Sequence, residues 1–282
     1  LDDGIGLLLE ELGKSGKADK TLIIYIGDHG AQFPRGKVSL YEGGLRIPMI
    51  VKWPGRAKPG LVRNELISTV DILPTMLSAA GTSIPENLPG LELQPLLQGK
   101  SVEWRDYIFG FGTGSYPFGF HLKHSIRDDR YKVILSLRPG SEDLGSRSYL
   151  DPSYRVTVVS GFTPEEQATA SPKVAEGLKR FRHPPAVQLF DLKTDPHEWI
   201  NLAGQPEYAD VQKRLEDALL QFRTRTHDPF LDPENVESFA ESQLSIKDMS
   251  YRKDKSFHWP YVDAFRKWRA EHRQRTRLEN ND

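Results

Sequence analysis

The stretch TLIIYIGDHGAQFPRGKVSLYEGGLRIPMIVKWPG, residues 21–55, sets two apolar runs of strand length on either side of a loop rich in charge and glycine. TLIIYIG (21–27) joins β-branched and aromatic residues without a polar break, the pattern of a strand buried on both faces of a parallel sheet. RIPMIVKWPG (46–55) supplies a second strand. Upstream, Ile5, Leu8, Leu9 and Leu12 recur at helical spacing behind acidic Asp2 and Asp3, with Gly13 and Gly16 as stops. Downstream, STVDILPTMLSAAG (68–81) predicts a second helix, capped by Ser68 or Thr69 and ended by Gly81. Helix, strand, loop, strand and helix in that order is the pattern of an α/β layered fold. Functional groups in such folds gather where strands end, and Asp28 and His29 stand at such an end.

A carboxylate suits a hard cation and an imidazole tolerates a softer one, so the Asp28–His29 pair is a candidate for divalent metal. The same three letters, Asp-His-Gly, equally describe a turn cap beside a hydrogen-bonded histidine. Lys37 is a point charge in the loop, able to meet a tetraoxo anion or a leaving oxygen. Gly43-Gly44 permits a tight turn before Arg46, and Glu42 is placed to hold Arg46 or Lys37 as supporting structure.

Past residue 100 the α/β rhythm stops, so residues 1–100 and 101–282 read as two units. DYIFGFGTG, GFHLKHSIRD and RYKVILSL have the character of antiparallel strands, with a turn at Asp128-Asp129-Arg130. Alternation puts His121, Lys123, Ser125 and Arg127 on one face, either a solvated surface or a row that meets an anionic sugar. Residues 138–185 read as a long loop with one short helix, followed by the strand and turn of AVQLFDLKTDPHEWINLA (186–203). Val211, Leu215, Ala218, Leu219 and Phe222 mark a helix near 207–226. From Tyr251 to Arg277 nine basic residues face three acidic ones, and Tyr261, Phe265, Trp268 and His272 form a stripe. That pattern predicts a basic amphipathic helix near 260–276.

Across 282 residues, 38 basic and 39 acidic side chains leave a formal net charge of -1. No whole-molecule field therefore favours nucleic acid or an anionic membrane. The absence of cysteine excludes disulfides, thiolate metal sites and a Cys nucleophile within the chain. No apolar run reaches the roughly 20 residues of a membrane span. Nothing in the sequence speaks to oligomeric state.

In order, TLIIYIGDHG, KVSLYEGGLRIPMIV, STVDILPTML and LFDLKTDPHEWINLA resemble segments of the C-terminal half of sulfatases in the alkaline phosphatase superfamily. DHGAQFPRGK and THDPF (226–230) look most like the heparan N-sulfatase, or sulfamidase, branch, in which an Arg often stands where Lys37 is. The resemblance implies part of an α/β/α sandwich followed by a smaller α+β subdomain with an antiparallel sheet and a C-terminal helix. It implies that Asp28 and His29 are two metal ligands, for Ca²⁺ first and Mn²⁺ as the alternative, and that Lys37 contacts the sulfate and the leaving oxygen. Many members carry Asn where His29 stands, which keeps phosphonate and phosphate monoester hydrolases of the superfamily open. The implied substrate is a sulfated carbohydrate that His121, Lys123 and Arg127 border, and the implied setting is periplasm, lysosome or exterior.

The resemblance also implies a formylglycine made from the Cys or Ser of C/S-x-P-x-R, and no such motif occurs here. SYPFG (115–119) ends in Gly119 where Arg is required, and SIPEN (83–87) ends in Asn87. The nucleophile is therefore expected in an N-terminal half outside this sequence, and the 282-residue chain alone is expected to be inactive. A non-catalytic remnant that binds sulfated glycans is the alternative from another class.

Overall fold

The computed structural model describes residues 1–114, 120–151 and 162–245, together with Arg266, Trp268 and Ala270. Its first half contains α1 (Asp2–Lys14), β1 (Ile23–Ile26), α2 (Glu42–Leu45), β2 (Met49–Lys52), α3 (Ile72–Ala79), α4 (Gln94–Leu97) and β3 (Ile108–Gly112). There follow β4 (Lys123–Arg127), β5 (Tyr131–Ser136), α5 (Leu144–Leu150), α6 (Pro164–Ala168), α7 (Pro172–Arg182), β6 (Val187–Asp191), α8 (Ala209–Arg225) and α9 (Pro233–Ser245). The chain divides into two units: Leu1–His29 with Arg46–Ile108, and Gly30–Leu45 with everything from Phe109 on. The loop between the first two strands thus belongs to a different unit from the strands themselves.

In the first unit β1 pairs with β2, and the pairing is antiparallel, with Ile24 opposite Val51 and Ile26 opposite Met49. The apolar run that predicted a fully buried parallel strand finds one neighbour among the described residues, and its four residues are only half-buried. Helix α1 forms at the expected spacing, yet none of its residues is buried, and Leu7 and Leu8 stay 64% and 73% exposed. Its apolar face therefore contributes little burial energy within the chain. The 68–81 helix forms as read: Ser68 N–H donates to Asp71, a 3₁₀ turn leads into α3, and Gly81 ends it at φ 70°. Asp71 is fully buried, where it pairs with Arg105 and accepts from Leu91 N–H at 2.8 Å.

The second unit is built on a four-stranded sheet in the order β3-β4-β5-β6, with β4–β5 and β5–β6 antiparallel. Asp128 makes the expected turn, its Oδ1 accepting from the N–H groups of Arg130 and Tyr131. Helix α8 lies against β4 and β5, burying Leu215 and Leu219. Around the sheet two clusters close: Phe120, Leu122, Leu144, Phe230 and Phe239 in one, and Leu40, Tyr41, Ile134, Phe181 and Phe190 in the other.

Residues 138–185 are largely helical where described, which corrects the long-loop expectation. Ser171 caps α7 with Pro172 at its first position, and Thr163 with Glu166 forms a capping box on α6. These are strong local start signals that offset a composition rich in Ser, Pro and charge. Ser115–Gly119 lies outside the described residues, as does most of the tail helix expected near 260–276, of which Arg266, Trp268 and Ala270 are helical.

Candidate functional site

Asp28 and His29 follow β1 directly and close on each other: His29 N–H donates to Asp28 Oδ1 at 3.0 Å, and His29 Nε2 lies 3.2 Å from Asp28 Oδ2. The Asp28 side chain is 85% exposed. A hard divalent cation takes six to eight oxygens, and no group of three His, Asp or Glu able to hold a metal exists among the described residues. Two donors, one open to water, do not make a closed site. The donor set fits Ca²⁺ only as a part.

Lys37 sits in a loop whose backbone is pinned on every side. Gly30 N–H donates to Gly44 O at 2.9 Å, and a Cβ on Gly30 would sit 1.8 Å from Gly43 O, so only glycine allows the crossing. A Cβ on Gly44 would likewise lie 2.4 Å from Gly36 O. Lys37 N–H donates to Ala31 O at 2.9 Å, and Tyr149 Oη donates to Lys37 O at 3.3 Å. Arg35 and Val38 both adopt φ 64°, a left-handed conformation that costs a non-glycine residue about 1–3 kcal/mol. Val38, being β-branched, tolerates it poorly.

The polar face of the sheet receives this loop. Pairing places Ser125 opposite Ile134 and Arg127 opposite Lys132, while Lys132 faces Phe190 and Ile134 faces Gln188. Tyr41 Oη donates to Gln188 Oε1 at 2.8 Å. Glu42 is bound by Arg127 and, at 3.0 Å, by Lys132 Nζ, partners other than the Arg46 and Lys37 expected from sequence. Arg46 lies in the first unit and is exposed. Farther along the same face Lys123 forms a buried ion pair with Asp143, and His121 Nδ1 lies 4.0 Å from Asp143 Oδ1. The row His121, Lys123, Ser125 and Arg127 is therefore buried or half-buried under the loop and α5, not a solvated surface.

One residue that the sequence reading passed over organises the contact. Glu198, in the turn D-P-H-E-W (195–199), is 1% exposed and adopts φ 60°. Its Oε2 accepts from Glu42 N–H at 2.6 Å, and its Oε1 lies 3.1 Å from Lys132 Nζ. Burial pushes its carboxyl above the ordinary range, against the pull of Lys132. No local pattern marks it, because its partners are distant in sequence. On the opposite face His124 Nε2 stands 3.0 Å from Asp228 Oδ2, which Arg223 also binds at 2.6 Å. Burial alone would raise Asp228, but these hydrogen bonds, with that from Phe230 N–H, outweigh it and hold the carboxyl at about 2.

In this α/β chain Asp28 and His29 thus stand at a strand end, and the rigid loop that carries Lys37 follows them in sequence. A family model described as Sulfatase matches residues 1–82. The chain is 34% identical over 203 residues to an ulvan-active sulfatase of Formosa agariphila, covering 70% of this chain and 36% of that protein. It is 29% identical over 251 residues to human N-sulphoglucosamine sulphohydrolase, covering 82% and 47%. A protein solved in complex with its substrate D-glucosamine-2-N,6-O-disulfate superposes with a TM-score of 0.56 at 26% identity, over 81% of this chain and 40% of that one. The chain is thus similar in sequence to sulfatases, and its fold matches the α/β fold with antiparallel sheets of solved sulfatases. It spans less than half the length of these relatives. No helix among the described residues is long and apolar enough to cross a membrane.

Proposed function

We propose that the chain is the C-terminal part of a sulfatase that cleaves sulfate esters or N-sulfates of sulfated carbohydrates. The observation that carries this reading is Lys37, on a backbone locked from both ends, eight residues after a strand-end Asp-His pair in a sulfatase-like chain. An ammonium fixed there neutralises charge on sulfate oxygens and on the departing oxygen, which is how preorganised cations lower such barriers. Asp28 and His29 are two ligands of a divalent metal, Ca²⁺ before Mn²⁺, whose bound form would supply charge neutralisation. The nucleophile, a formylglycine, and the remaining ligands belong to an N-terminal half. The exposed apolar face of α1 and the half-buried β1–β2 pair are surfaces that such a half would cover. A sulfamidase-like preference for N-sulfated glucosamine follows from DHGAQFPRGK and THDPF, and export to a lysosome, periplasm or exterior follows from the resemblance.

The test is sulfate release from O-sulfated and N-sulfated glucosamine by the protein that joins this sequence to a formylglycine-bearing half. Lys37→Ala should lower kcat by about 10²–10³, the usual effect of removing one oxyanion-stabilising group. Unchanged turnover in that variant, or turnover of phosphate monoesters alone, would refute the assignment.

A further inference from the structure

The turn 195–199 and the loop that carries Lys37 are joined at two points that bracket it. On one side, the Arg35 guanidinium lies between the rings of Tyr41 and Trp199, 4.1 and 4.2 Å from their centroids. It donates to the carbonyls of His197 at 3.1 Å and Glu198 at 2.6 Å. Gly177 of α7 makes room for this stack, since a Cβ there would lie 2.4 Å from Trp199 and 2.8 Å from Arg35 Nη1. On the other side, Glu198 accepts the Glu42 N–H, and Lys132 bridges Glu42 and Glu198. Two residues of this span are strained, Val38 between the anchors and Arg35 at the first of them. Strain of that kind persists only where the surroundings over-determine it.

We infer that Arg35, Lys132 and Glu198 are positioning residues that clamp the Gly30–Leu45 loop in its strained form, so that the C-terminal sheet, through the Asp195–Trp199 turn, fixes Lys37 for its anion. The inference rests on the proposed role of Lys37, but the clamp itself is open to a test that needs no substrate. Hydrogen exchange on the 282-residue chain compares amides of residues 33–44 with those of β5 and β6. Glu198→Ala removes the acceptor for Glu42 N–H and should speed exchange in the loop at least about tenfold while β5 and β6 keep their rates. Glu198→Gln, which retains an acceptor oxygen, should restore most of the protection. Arg35→Lys keeps the charge but loses the planar stack and the paired donors, and should loosen the loop independently. In the sulfate-release assay, Glu198→Ala should lower kcat by about 10- to 100-fold with KM within about twofold, because misplacing a catalytic group costs rate rather than binding. Equal acceleration of loop and strands, or none, would overturn the clamp while leaving the role of Lys37 standing. A failed Lys37→Ala assay beside loop-selective exchange would overturn the functional role while leaving the clamp as architecture.

Discussion

In the pair β1–β2 and the sheet β3–β6, burial runs opposite to the apolar character of the strands. Ile23–Ile26 is a run without a polar residue except Tyr25, yet it is half-buried and, among the described residues, has one strand beside it. Lys123–Arg127 carries Lys, His, Ser and Arg, yet its first four residues are buried. Burial here follows the number of elements available to cover a strand, not the hydrophobicity of the strand. β4 has strands on both edges and α8 on one face, while the other face receives the loop with Tyr41 and Glu42. Its polar residues are tolerated because each charge meets a partner, as buried charges require.

The contrast can be broken most forcefully at Lys132, which is 1% exposed between Glu42 and Glu198. Lys132→Met leaves two carboxylates buried without their shared cation and should cost about 3–5 kcal/mol in denaturant unfolding. A loss under about 1 kcal/mol would show that the ion pairs are solvated and the polar face is open after all. Side-chain truncation sharpens the same contrast. Ile134→Ala, in the buried cluster, should cost about 2–5 kcal/mol. Ile24→Ala, on the half-buried β1, should cost about 1 kcal/mol, because less apolar area is lost. Equal losses would erase the distinction between the two sheets.

The smallest effect is a pH dependence. The hydrogen bonds from His124 and Arg223 hold the Asp228 carboxyl at about 2, below the ordinary aspartate range. A depressed carboxyl stabilises fully above its unfolded pKa and loses that contribution as pH falls through its folded one. The stability gap between the wild type and Asp228→Asn should therefore shrink as pH is lowered from 5 toward 2. A gap that stays constant over that range would mean that the His124 and Arg223 contacts do not hold the carboxylate.

Legibility in the sequence follows the range of the forces involved. The 68–81 helix, α8, and the Asp128 turn were readable because their caps, stripes and turn residues act over a few positions. The helical content of 138–185 was signalled by Thr163-Pro164 and Ser171-Pro172, though composition pointed to a loop. Strand partners were not readable: a continuous apolar run states a demand for burial and cannot state whether the pairing is parallel. Asp28, His29 and Lys37 were visible as chemistry-bearing residues, whereas Glu198 was not, since what makes it matter is Glu42 and Lys132, 156 and 66 residues away. Glu42 itself was singled out, but its partners lie across the sheet.

On the proposed function, this chain holds part of a sulfate-handling site and not the whole of it. Titrating Ca²⁺ into the 282-residue chain in a calorimeter tests that claim most directly. Asp28 and His29, as two donors with an open carboxylate, predict no saturable binding at micromolar Ca²⁺. Saturable micromolar binding, abolished by Asp28→Ala, would show that the chain completes its own metal centre and would contradict the account.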